Sequence, residues 1–526
     1  MPVNPTYPGL YIEELPNTAH TIVPAPTSVT AFIGYAHPFA GECAVLGNWK
    51  KPVQIFSFAD YERVFGGLFR SQVLSTALPD AVYQFFLNGG SNAWVVGLQP
   101  KYVDNNLAPT AVTGATGAAN GIVFTSKQVT DVDHKVRITI RNTKAANPGP
   151  GQTADIMITF GYNSEVYRNV LTSSAAAAAA SPLFIARQLA QSKLVSVAPP
   201  GGGYPDAYSA AATTAPITVD LWDMQPPANQ GTLLPADFIN EMKVNSELDK
   251  VEIFNLLVLP GVSDVAICNA AIAFAEQKRA FFIMDPPPNA TADGMGRNLL
   301  TISDYVTTNP YASPNCALYF PYLKARDPLS NGTLALPPSG YVAGIYARTD
   351  LTRGVWKAPA GIEASVLNTT GVVDEGKMND MQQGTMNPNG INVLRTFNTG
   401  TVVWGARTVV TATQEQWRYV PVRRTALFIE QTLLRNLGWV VFEPNDEPLW
   451  SAIRVSVEAF MQSLFRQHAF QGSTPNEAFR VQCDSSTTTQ NDINLGIVNI
   501  VVGFRPLKPA EFVVIKIAQL AGQAQQ

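Results

Sequence analysis

The chain has few charged residues. Asp, Glu, Lys and Arg make up 14% of its 526 residues, whereas about 25% is usual for a soluble protein. The net charge is −4 and no long run of Lys or Arg occurs, so the electrostatic footprint of a nucleic-acid-binding protein is absent. A surface with so few charges is better suited to contact with protein than with water, and this composition favours an assembling protein.

Cysteines and long apolar runs are also scarce. Cys43, Cys268, Cys316 and Cys483 form no C-x-x-C pair, and their mixed or apolar surroundings predict small buried residues rather than metal ligands or disulfides. No apolar run reaches about 18 residues, so we expect no membrane-spanning helix. The first residues lack the basic and apolar regions of a secretory signal, which predicts synthesis in the cytoplasm.

Residues suited to catalysis are sparse. The four histidines lie far apart without metal-ligand spacing, and neither G-x-S-x-G nor G-x-x-x-x-G-K-[ST] occurs. The stretch DVDH at 131–134 is better explained by a turn. The sequence therefore predicts no catalytic residue, cofactor or metal ligand, although a triad assembled from distant parts of the chain is left open.

Composition and periodicity divide the chain into five parts. Residues 1–25 are punctuated by prolines and predict an extended arm. Residues 26–104 and 231–405 carry near-continuous apolar strands between helices, which is typical of a parallel sheet covered on both faces. Residues 105–230 are rich in Ala, Thr, Gly and Pro, and their strands alternate at period two, which predicts an inserted, mostly β domain. Residues 406–526 predict a C-terminal α+β domain, so the fold class is α/β with α+β parts.

Two strands are predicted to close the chain, at 496–504 and 511–517. The second, EFVVIKI, is apolar on both faces except for Lys516. A strand near a chain end usually lies at a sheet edge with one face in water. A terminal strand that is apolar on both faces leaves open which segment it pairs with.

Several long motifs follow one another in a recognisable order. They are YPGLYIEE (7–14), APTSVTAFIGYA (25–36), LPPSGYVAGIYARTDLTRGVWKAPAG (336–361), NPNGINVLRTFNTGTVVWGARTV (387–409), WRYVPVRRTALFIEQTL (417–433), WVVFEPNDEPLW (439–450) and NEAFRVQCD (476–484). With these motifs the chain resembles the contractile tail sheath proteins of myovirus-type phages and phage-tail-like injection particles. The resemblance covers the chain except for 105–230, whose role it leaves open.

The resemblance implies a helical cylinder of subunits around an inner tube, which shortens and widens to drive the tube through a target cell envelope. It implies a middle, subtilisin-like α/β layer without a protease triad, and an inner layer whose terminal arms add strands to neighbouring subunits. The expected partners are other copies of the chain, the inner tube protein, and baseplate and terminator or cap proteins. Neither nucleic acid nor membrane insertion is expected. The particle, a virion tail or a genome-free device made in bacterial cytoplasm, is left open.

Two sets of residues are predicted to carry this function. Strand exchange between subunits is predicted for Leu10, Tyr11, Ile12, Ile497, Val498, Ile500, Val502, Phe512, Val513, Val514, Ile515 and Ile517. Contact with the tube is predicted for the helix near 447–468, with Arg454, Glu458 and Arg466 as candidates. The alternative for these three charges is that they face solvent or a neighbouring subunit.

Two other classes of protein are alternatives to a sheath subunit. A hydrolase with an α/β core and a β insert would need a converging acid, base and nucleophile, and none is visible in the sequence. Another structural component, such as a tube, baseplate or surface-layer protein, would lack this set of motifs. The insert at 105–230 is expected to face outward, where no neighbour packs against it.

Overall fold

The computed structural model describes residues 20–71, 74–102, 110–119, 122–142, 153–171, 181–198, 215–222, 234–291, 301–309, 311–329, 332–410 and 412–516. The chain divides into two compact units. One comprises Ser28–Leu351 and Pro359–Arg418, and we call it the α/β unit. The other comprises Met1–Thr27, Thr352–Ala358 and Tyr419–Gln526, and we call it the C-terminal unit.

The α/β unit contains the first twenty strands and nine helices of the described chain. Strands β1 to β20 are Thr30–Tyr35, Pro52–Ile55, Ala93–Leu98, Lys101–Tyr102, Thr110–Ala111, Thr116–Ala119, Ile122–Ser126, Val136–Asn142, Thr153–Phe160, Asn163–Leu171, Val195–Ala198, Ile217–Leu221, Leu256–Val258, Phe281–Met284, Cys316–Phe320, Leu323–Arg326, Thr333–Leu336, Gly371–Val372, Ile391–Phe397 and Gly400–Val403. Helices α1 to α9 are Gly41–Leu46, Phe58–Phe65, Ala77–Leu87, Ile185–Leu189, Pro235–Glu241, Val265–Gln277, Ile302–Thr308, Ser339–Arg353 and Asp380–Met386. Short 3-10 helices cover Asp374–Gly376, Asn387–Asn389 and Ala412–Trp417.

A mainly parallel sheet forms the centre of the α/β unit. Its described strands lie in the order β2-β3-β1-β13-β14-β15-β19-β20. Neighbours from β3 to β19 run parallel, with Phe32 opposite Val95 and Val258, whereas β2 and β20 are antiparallel at the two edges. Every residue of β1, β14 and β15 is buried. The predicted parallel sheet with apolar strands is confirmed, because such strands must be covered on both faces.

Side chains of the central strands alternate between two layers of helices. Ala31, Ile33 and Tyr35 of β1 belong to an apolar cluster that also contains side chains of α5, α6 and α7. Phe32 points the other way and contacts Phe85 of α3 edge-to-face, with ring centroids 5.4 Å apart. This alternation follows from the two-residue period of a strand, and it places helices on both faces of the sheet.

Helix α8 approaches α3 through two glycines. The first nine residues of α8 are buried. A Cβ atom at Gly340 would lie 2.5 Å from the carbonyl oxygen of Ala81, and one at Gly344 would lie 2.6 Å from that of Phe85. Ala81 and Phe85 are one helical turn apart on α3, as are the two glycines on α8. Only glycine lets the two helices pack this closely.

Within the predicted insert, the alternating strands are confirmed. Val136, Ile138 and Ile140 of β8 are buried at every second position. The described strands form one sheet in the order β10-β9-β8-β12 and another in the order β11-β7-β6. Side chains from both sheets, including Phe124 and Ile156, and from helix α4 share one apolar cluster. The stretch at 131–134 is a turn as predicted, because Asp131 Oδ1 accepts from the N–H groups of Asp133 and His134.

The C-terminal unit is built from helices packed on a short strand pair. Helices α10 to α13 are Val420–Asn436, Glu447–Arg466, Pro475–Ala478 and Gln490–Asn494, a 3-10 helix covers Gly438–Val440, and strands β21 and β22 are Phe479–Gln482 and Val501–Phe504. Helix α11 confirms the helix predicted near 447–468. The apolar faces of α10 and α11 share a cluster that includes Phe428, Ile453 and Phe460.

The predicted strand at 496–504 is wrong in its first half. Only Val501–Phe504 forms a strand, and it pairs with β21. The backbone before it bonds to side chains instead: Asn445 Nδ2 donates to the carbonyl of Ile497 at 3.0 Å, and Thr488 Oγ1 accepts from Asn499 N–H at 3.1 Å. Because these side chains occupy backbone groups that a ladder would use, the strand begins only at Val501.

All four cysteines are buried thiols, as predicted. Within the described ranges, His, Cys, Asp and Glu nowhere gather in a group of three suited to hold a metal ion. Over the same residues, none of the helices combines the length and apolar character needed to cross a bilayer.

Candidate assembly segments and tube-contact helix

Within the C-terminal unit, the first described residues lie along helix α10. Residues 20–27 run beside this helix in the opposite direction, because His20 stacks on Trp439, Val23 bonds to Asn436, and Ala25 N–H donates to Thr432 Oγ1 at 3.0 Å. Ile22 and Ala25 are buried. The end of the predicted arm is therefore held at the carboxyl end of α10. Leu10, Tyr11 and Ile12 lie outside the described residues.

Strands β21 and β22 form an antiparallel pair, with Phe479 opposite Phe504 and Val481 opposite Val502. The pairing continues past β22 to a bridge between Phe470 and Pro506. Val502 is partly buried against the core of the unit, as are Val498 and Ile500, while Ile497 is more exposed. Sheets of two strands are marginal by themselves, and among the described residues this one has backbone edges to which further strands could add.

From 507 to 516 the chain has no regular secondary structure. Residues 511–516 pair with no strand in the described part of the chain, so the predicted strand there is not formed in the isolated subunit. Phe512, Val513, Val514 and Ile515 expose 75%, 80%, 79% and 80% of their side chains. Four consecutive apolar side chains in water form an unfavourable surface that another chain could cover. Ile517 lies outside the described residues.

One contact marks where this segment leaves the C-terminal unit. The Tyr419 hydroxyl lies 3.4 Å from Glu511 Oε2. Tyr419 immediately precedes α10, whereas the N-terminal segment passes the other end of that helix. Seventeen residues of helix span roughly 25 Å at about 1.5 Å per residue. The two terminal segments thus depart from opposite ends of α10.

Helix α11 carries the predicted tube-contact residues. Its apolar face, which includes Ile453, Val457 and Phe460, is buried in the core of the unit. Glu458 and Arg466 are exposed on the opposite face, and neither takes part in an ion pair within the described ranges. Eight residues separate them, which is about 12 Å along a helix. The helix therefore offers a negative and a positive charge on one surface.

Arg454 differs from the other two candidates, because its guanidinium already has partners. It donates to Glu447 Oε1 at 2.5 Å and to the carbonyl oxygen of Cys483. Its side chain is 25% exposed. The structure thus places Glu458 and Arg466 together on one open face and gives Arg454 a bracing role between α11 and the segment after β21.

An exposed apolar turn between α10 and α11 was missed by the sequence reasoning. Val441 is 62% exposed and Phe442 is fully exposed, with a positive φ of 72°. Positive φ is unusual for a bulky residue. The signal was present in WVVFEPNDEPLW, where two apolar residues directly precede a run of Glu, Pro, Asn and Asp that favours a turn.

The α/β unit contains a buried Asp–Ser pair that differs from a hydrolase triad. Asp285 accepts from Ser339 Oγ at 2.5 Å, from Ser339 N–H at 2.8 Å and from Gly261 N–H at 2.8 Å. Burial raises the pKa of Asp285 to about 6, against the effect of these donors. The serine hydroxyl points to the carboxylate itself, whereas a triad places a histidine between the two.

Two of the described histidines have structural partners. His37 Nδ1 accepts from the N–H of Phe39 and Ala40, and burial lowers the pKa of His37 to about 3. His134 pairs with Asp131 at 2.9 Å. An imidazole that stays neutral and serves as a backbone acceptor is positioned for structure, not for proton transfer.

The fold and the exposed apolar segment Phe512–Ile515 are those of a structural protein. Family models agree with this class. The phage tail sheath protein central domain matches residues 239–409, and the phage tail sheath C-terminal domain matches residues 412–519. Together these two models cover more than half of the chain. The chain therefore belongs to the phage tail sheath family, whose members are structural proteins and not enzymes.

Two curated relatives are similar in sequence to parts of the chain. A prophage major tail sheath protein of Pseudomonas aeruginosa is 25% identical over 264 residues, which are 49% of this chain and 62% of that protein. The tail sheath protein of Burkholderia phage BcepMu is 29% identical over 167 residues, 31% of this chain and 35% of that protein. The chain thus spans less than two thirds of the length of these curated relatives.

The structural similarity extends along nearly the whole chain. The sheath of an extracellular contractile injection system, PVC, in the contracted state has a TM-score of 0.57 at 22% identity, over 98% of this chain and 99% of that chain. The contracted helical sheath of the anti-feeding prophage has a TM-score of 0.55 at 23% identity, over 98% and 100%. At these identities the comparison establishes the mixed α/β, multidomain fold.

Proposed function

We propose that this chain polymerises into a helical sheath around an inner tube, and that the sheath shortens to drive the tube through a target cell envelope. The observation that carries the proposal is the exposed segment Phe512–Ile515, whose side chains are apolar on both faces and uncovered in the subunit. Solved relatives described as sheaths in the contracted state support the contractile part of the proposal.

Strand exchange is the physical basis proposed for the polymer. Residues 511–517 of one subunit, and the arm around Leu10–Ile12 of another, would add to the exposed edges of β21 and β22. Added strands gain backbone hydrogen bonds, and their alternating side chains enter apolar positions. Because the two segments depart from opposite ends of α10, they are suited to reach different neighbours. A contact between two different surfaces repeats without closing and generates an open helix.

The free energies of the two kinds of contact predict which of them survive contraction. An added strand forms a few backbone hydrogen bonds at about 1 kcal/mol net each, and each buried Val, Ile or Leu contributes roughly 1.5–3 kcal/mol. An exposed ion pair with the tube contributes only about 0–1 kcal/mol. The strand links between subunits therefore hold while the contacts with the tube are released.

The α/β unit is proposed to be the body that moves during contraction. Its parallel sheet with helices on both faces supports the subtilisin-like arrangement implied by the resemblance, without a triad. The insert is proposed to face outward on the cylinder. A rearrangement of rigid bodies on short linkers is one of the standard routes for a large conformational change.

Further partners are proposed at the ends of the polymer. A baseplate structure of the anti-feeding prophage contains a chain similar to this one, with a TM-score of 0.54 at 23% identity. We expect a baseplate to nucleate the polymer at one end, and a terminator or cap protein to close the other. The complete particle would be a virion tail or a tail-like particle assembled in bacterial cytoplasm.

Electron microscopy of the purified chain tests the proposal. Negative-stain images with and without the inner tube protein are expected to show long hollow cylinders in at least one condition. A chain lacking residues 511–526 is expected to remain monomeric in both. Cylinders from both chains would retain the sheath and refute the C-terminal link. Monodisperse particles from the full chain in both conditions would contradict the proposed polymer.

Charge reversal on α11 tests the proposed tube contact. Arg466→Glu is expected to yield sheath that assembles normally but no longer retains the tube, because an attractive surface charge becomes repulsive. Arg466 suits this test better than Arg454, since reversing Arg454 would also break its contacts with Glu447 and Cys483. The measurement is the fraction of tube-filled cylinders in electron micrographs.

A matched control for this prediction lies on the α/β unit. Lys243 is an exposed lysine, and Lys243→Glu makes the same change in net charge outside the C-terminal unit. It is expected to leave the fraction of tube-filled cylinders unchanged. Equal filling in Arg466→Glu and Lys243→Glu would contradict the assignment of α11 as the tube-contact helix.

A further inference from the structure

A buried ion cluster lies at the side of the α/β unit from which the insert emerges. Arg70 binds Asp80 through two parallel hydrogen bonds, at 2.9 and 3.0 Å, and binds Asp327 Oδ1 at 2.8 and 3.1 Å. The three side chains are only 6%, 2% and 3% exposed. A buried guanidinium is tolerated only when its partners are well placed, so the cluster constrains the geometry of all three segments.

The first attachment of the insert adjoins Arg70. Phe69 is fully buried in an apolar cluster with Leu74, Val112 and Val129, and the last two belong to the insert. The carbonyl oxygen of Phe69 accepts from Arg70 Nη1 at 2.8 Å. The residue on which the base of the insert packs is therefore held directly by the cluster.

The second attachment adjoins Asp327. Gly161 occupies the turn between β9 and β10, with a φ of 57°, and a Cβ atom there would lie 2.5 Å from the carbonyl oxygen of Leu329. Leu329 N–H in turn donates to Asp327 Oδ1 at 3.0 Å. A hairpin tip thus contacts a backbone segment whose position is set by the same cluster.

From this geometry we propose that the Arg70–Asp80–Asp327 cluster is a joint that fixes the orientation of the insert on the α/β unit. Arg70 holds the backbone of Phe69, on which the base of the insert packs. Asp327 holds the backbone of Leu329, which the hairpin tip contacts. Asp80 connects Arg70 to α3. Helix α3 is itself packed on the central strand β1 through Phe85 and Phe32. The insert and the central sheet consequently move as one body. The inference concerns the isolated subunit and does not depend on the proposed function.

Distance measurements between two spin labels test the joint in the full-length chain, under conditions that keep the chain monomeric. All four native cysteines are buried, so labels can be directed to Val166→Cys on β10 and Met381→Cys on α9, whose native side chains are 54% and 83% exposed. The unaltered joint is expected to give one narrow distance distribution. Arg70→Met and, separately, Gly161→Val are each expected to more than double its width.

Control variants distinguish an effect on the joint from a general loss of stability. Gly47→Val also introduces a β-branched residue at positive φ, but no atom lies within 4 Å of its added Cβ, and the distribution is expected to stay narrow. Hydrogen exchange of the amides in β1 and β14 is expected to be unchanged in Gly161→Val, because that change touches only the hairpin tip. A distribution in Arg70→Met as narrow as in the parent chain would overturn the proposal.

A second variant keeps the test decisive if Arg70→Met does not fold. Arg70→Lys retains the charge, but an ammonium group cannot reproduce the planar fork that engages both carboxylates. We expect a distribution of intermediate width from Arg70→Lys. A width equal to that of the parent chain in this variant would also overturn the proposal.

Discussion

Two double substitutions in the C-terminal segment are each expected to abolish polymerisation: Phe512→Ser with Val514→Ser, and Val513→Ser with Ile515→Ser. In an extended strand these pairs lie on opposite faces, and both faces are apolar. Two buried side chains contribute roughly 3–6 kcal/mol at about 1.5–3 kcal/mol each. At about 1.4 kcal/mol per factor of ten, the association constant should fall by a factor of about 100 or more. Sedimentation measures this as the concentration above which polymer forms.

The isolated subunit provides the control for that prediction. Because these four side chains are at least 75% exposed in the subunit, the free energy of unfolding of the monomer should be unchanged. Lys516→Ala, in the same segment, should assemble like the parent chain. If only one pair prevents assembly, the strand has one covered face. If neither pair does, the segment is not the link between subunits.

Substitutions at the contact between α3 and α8 are expected to have the largest effect on stability. Gly340→Ala and Gly344→Ala each place a methyl group about 2.5 Å from a backbone carbonyl of α3. A backbone atom cannot rotate away as a side chain can, so the helices must separate. Overpacking of this kind costs about 1–3 kcal/mol. The measurement is the free energy of unfolding from denaturant titration.

Another helical glycine is a matched control for those two substitutions. Gly384 lies in α9, and no atom lies within 4 Å of an added Cβ atom. Gly384→Ala should therefore stabilise the chain by about 0.5–1 kcal/mol, because alanine has the higher helix propensity. A stability change in Gly340→Ala that matches the one in Gly384→Ala would contradict the close approach of the two helices.

The C-terminal segment has a strand pattern in its sequence, but that pattern does not identify the strand with which it pairs. Its apolar alternation is a genuine strand signal, yet residues 511–516 have no ladder in the described subunit. A strand forms only when its backbone groups find partners. Periodicity reports the side-chain pattern and does not reveal whether the partner strand lies in the same chain. The residues at 497–500 illustrate a related limit, because nearby Asn and Thr side chains take the backbone bonds there.

The sequence by itself determined the elements whose signal is local. Near-continuous apolar runs specified the parallel strands β13 to β15, and period-two alternation specified β8 and β9. Burial of all four cysteines followed from their apolar surroundings. In each case the driving force is the removal of apolar surface from water, which the spacing of residues along one segment already encodes.

Only the tertiary structure decided which distant residues meet. Arg70 and Asp327 are 257 positions apart, and Gly340 contacts a carbonyl of α3 that lies far upstream. Arg454 could be separated from Glu458 and Arg466 only once the partners of its guanidinium were visible. Such contacts depend on how whole elements pack. The residues next to a charge or a glycine in the sequence do not identify the distant partner that it will contact. Local periodicity therefore specified the elements, and long-range packing specified the joint, the close helix contact and the open face of α11.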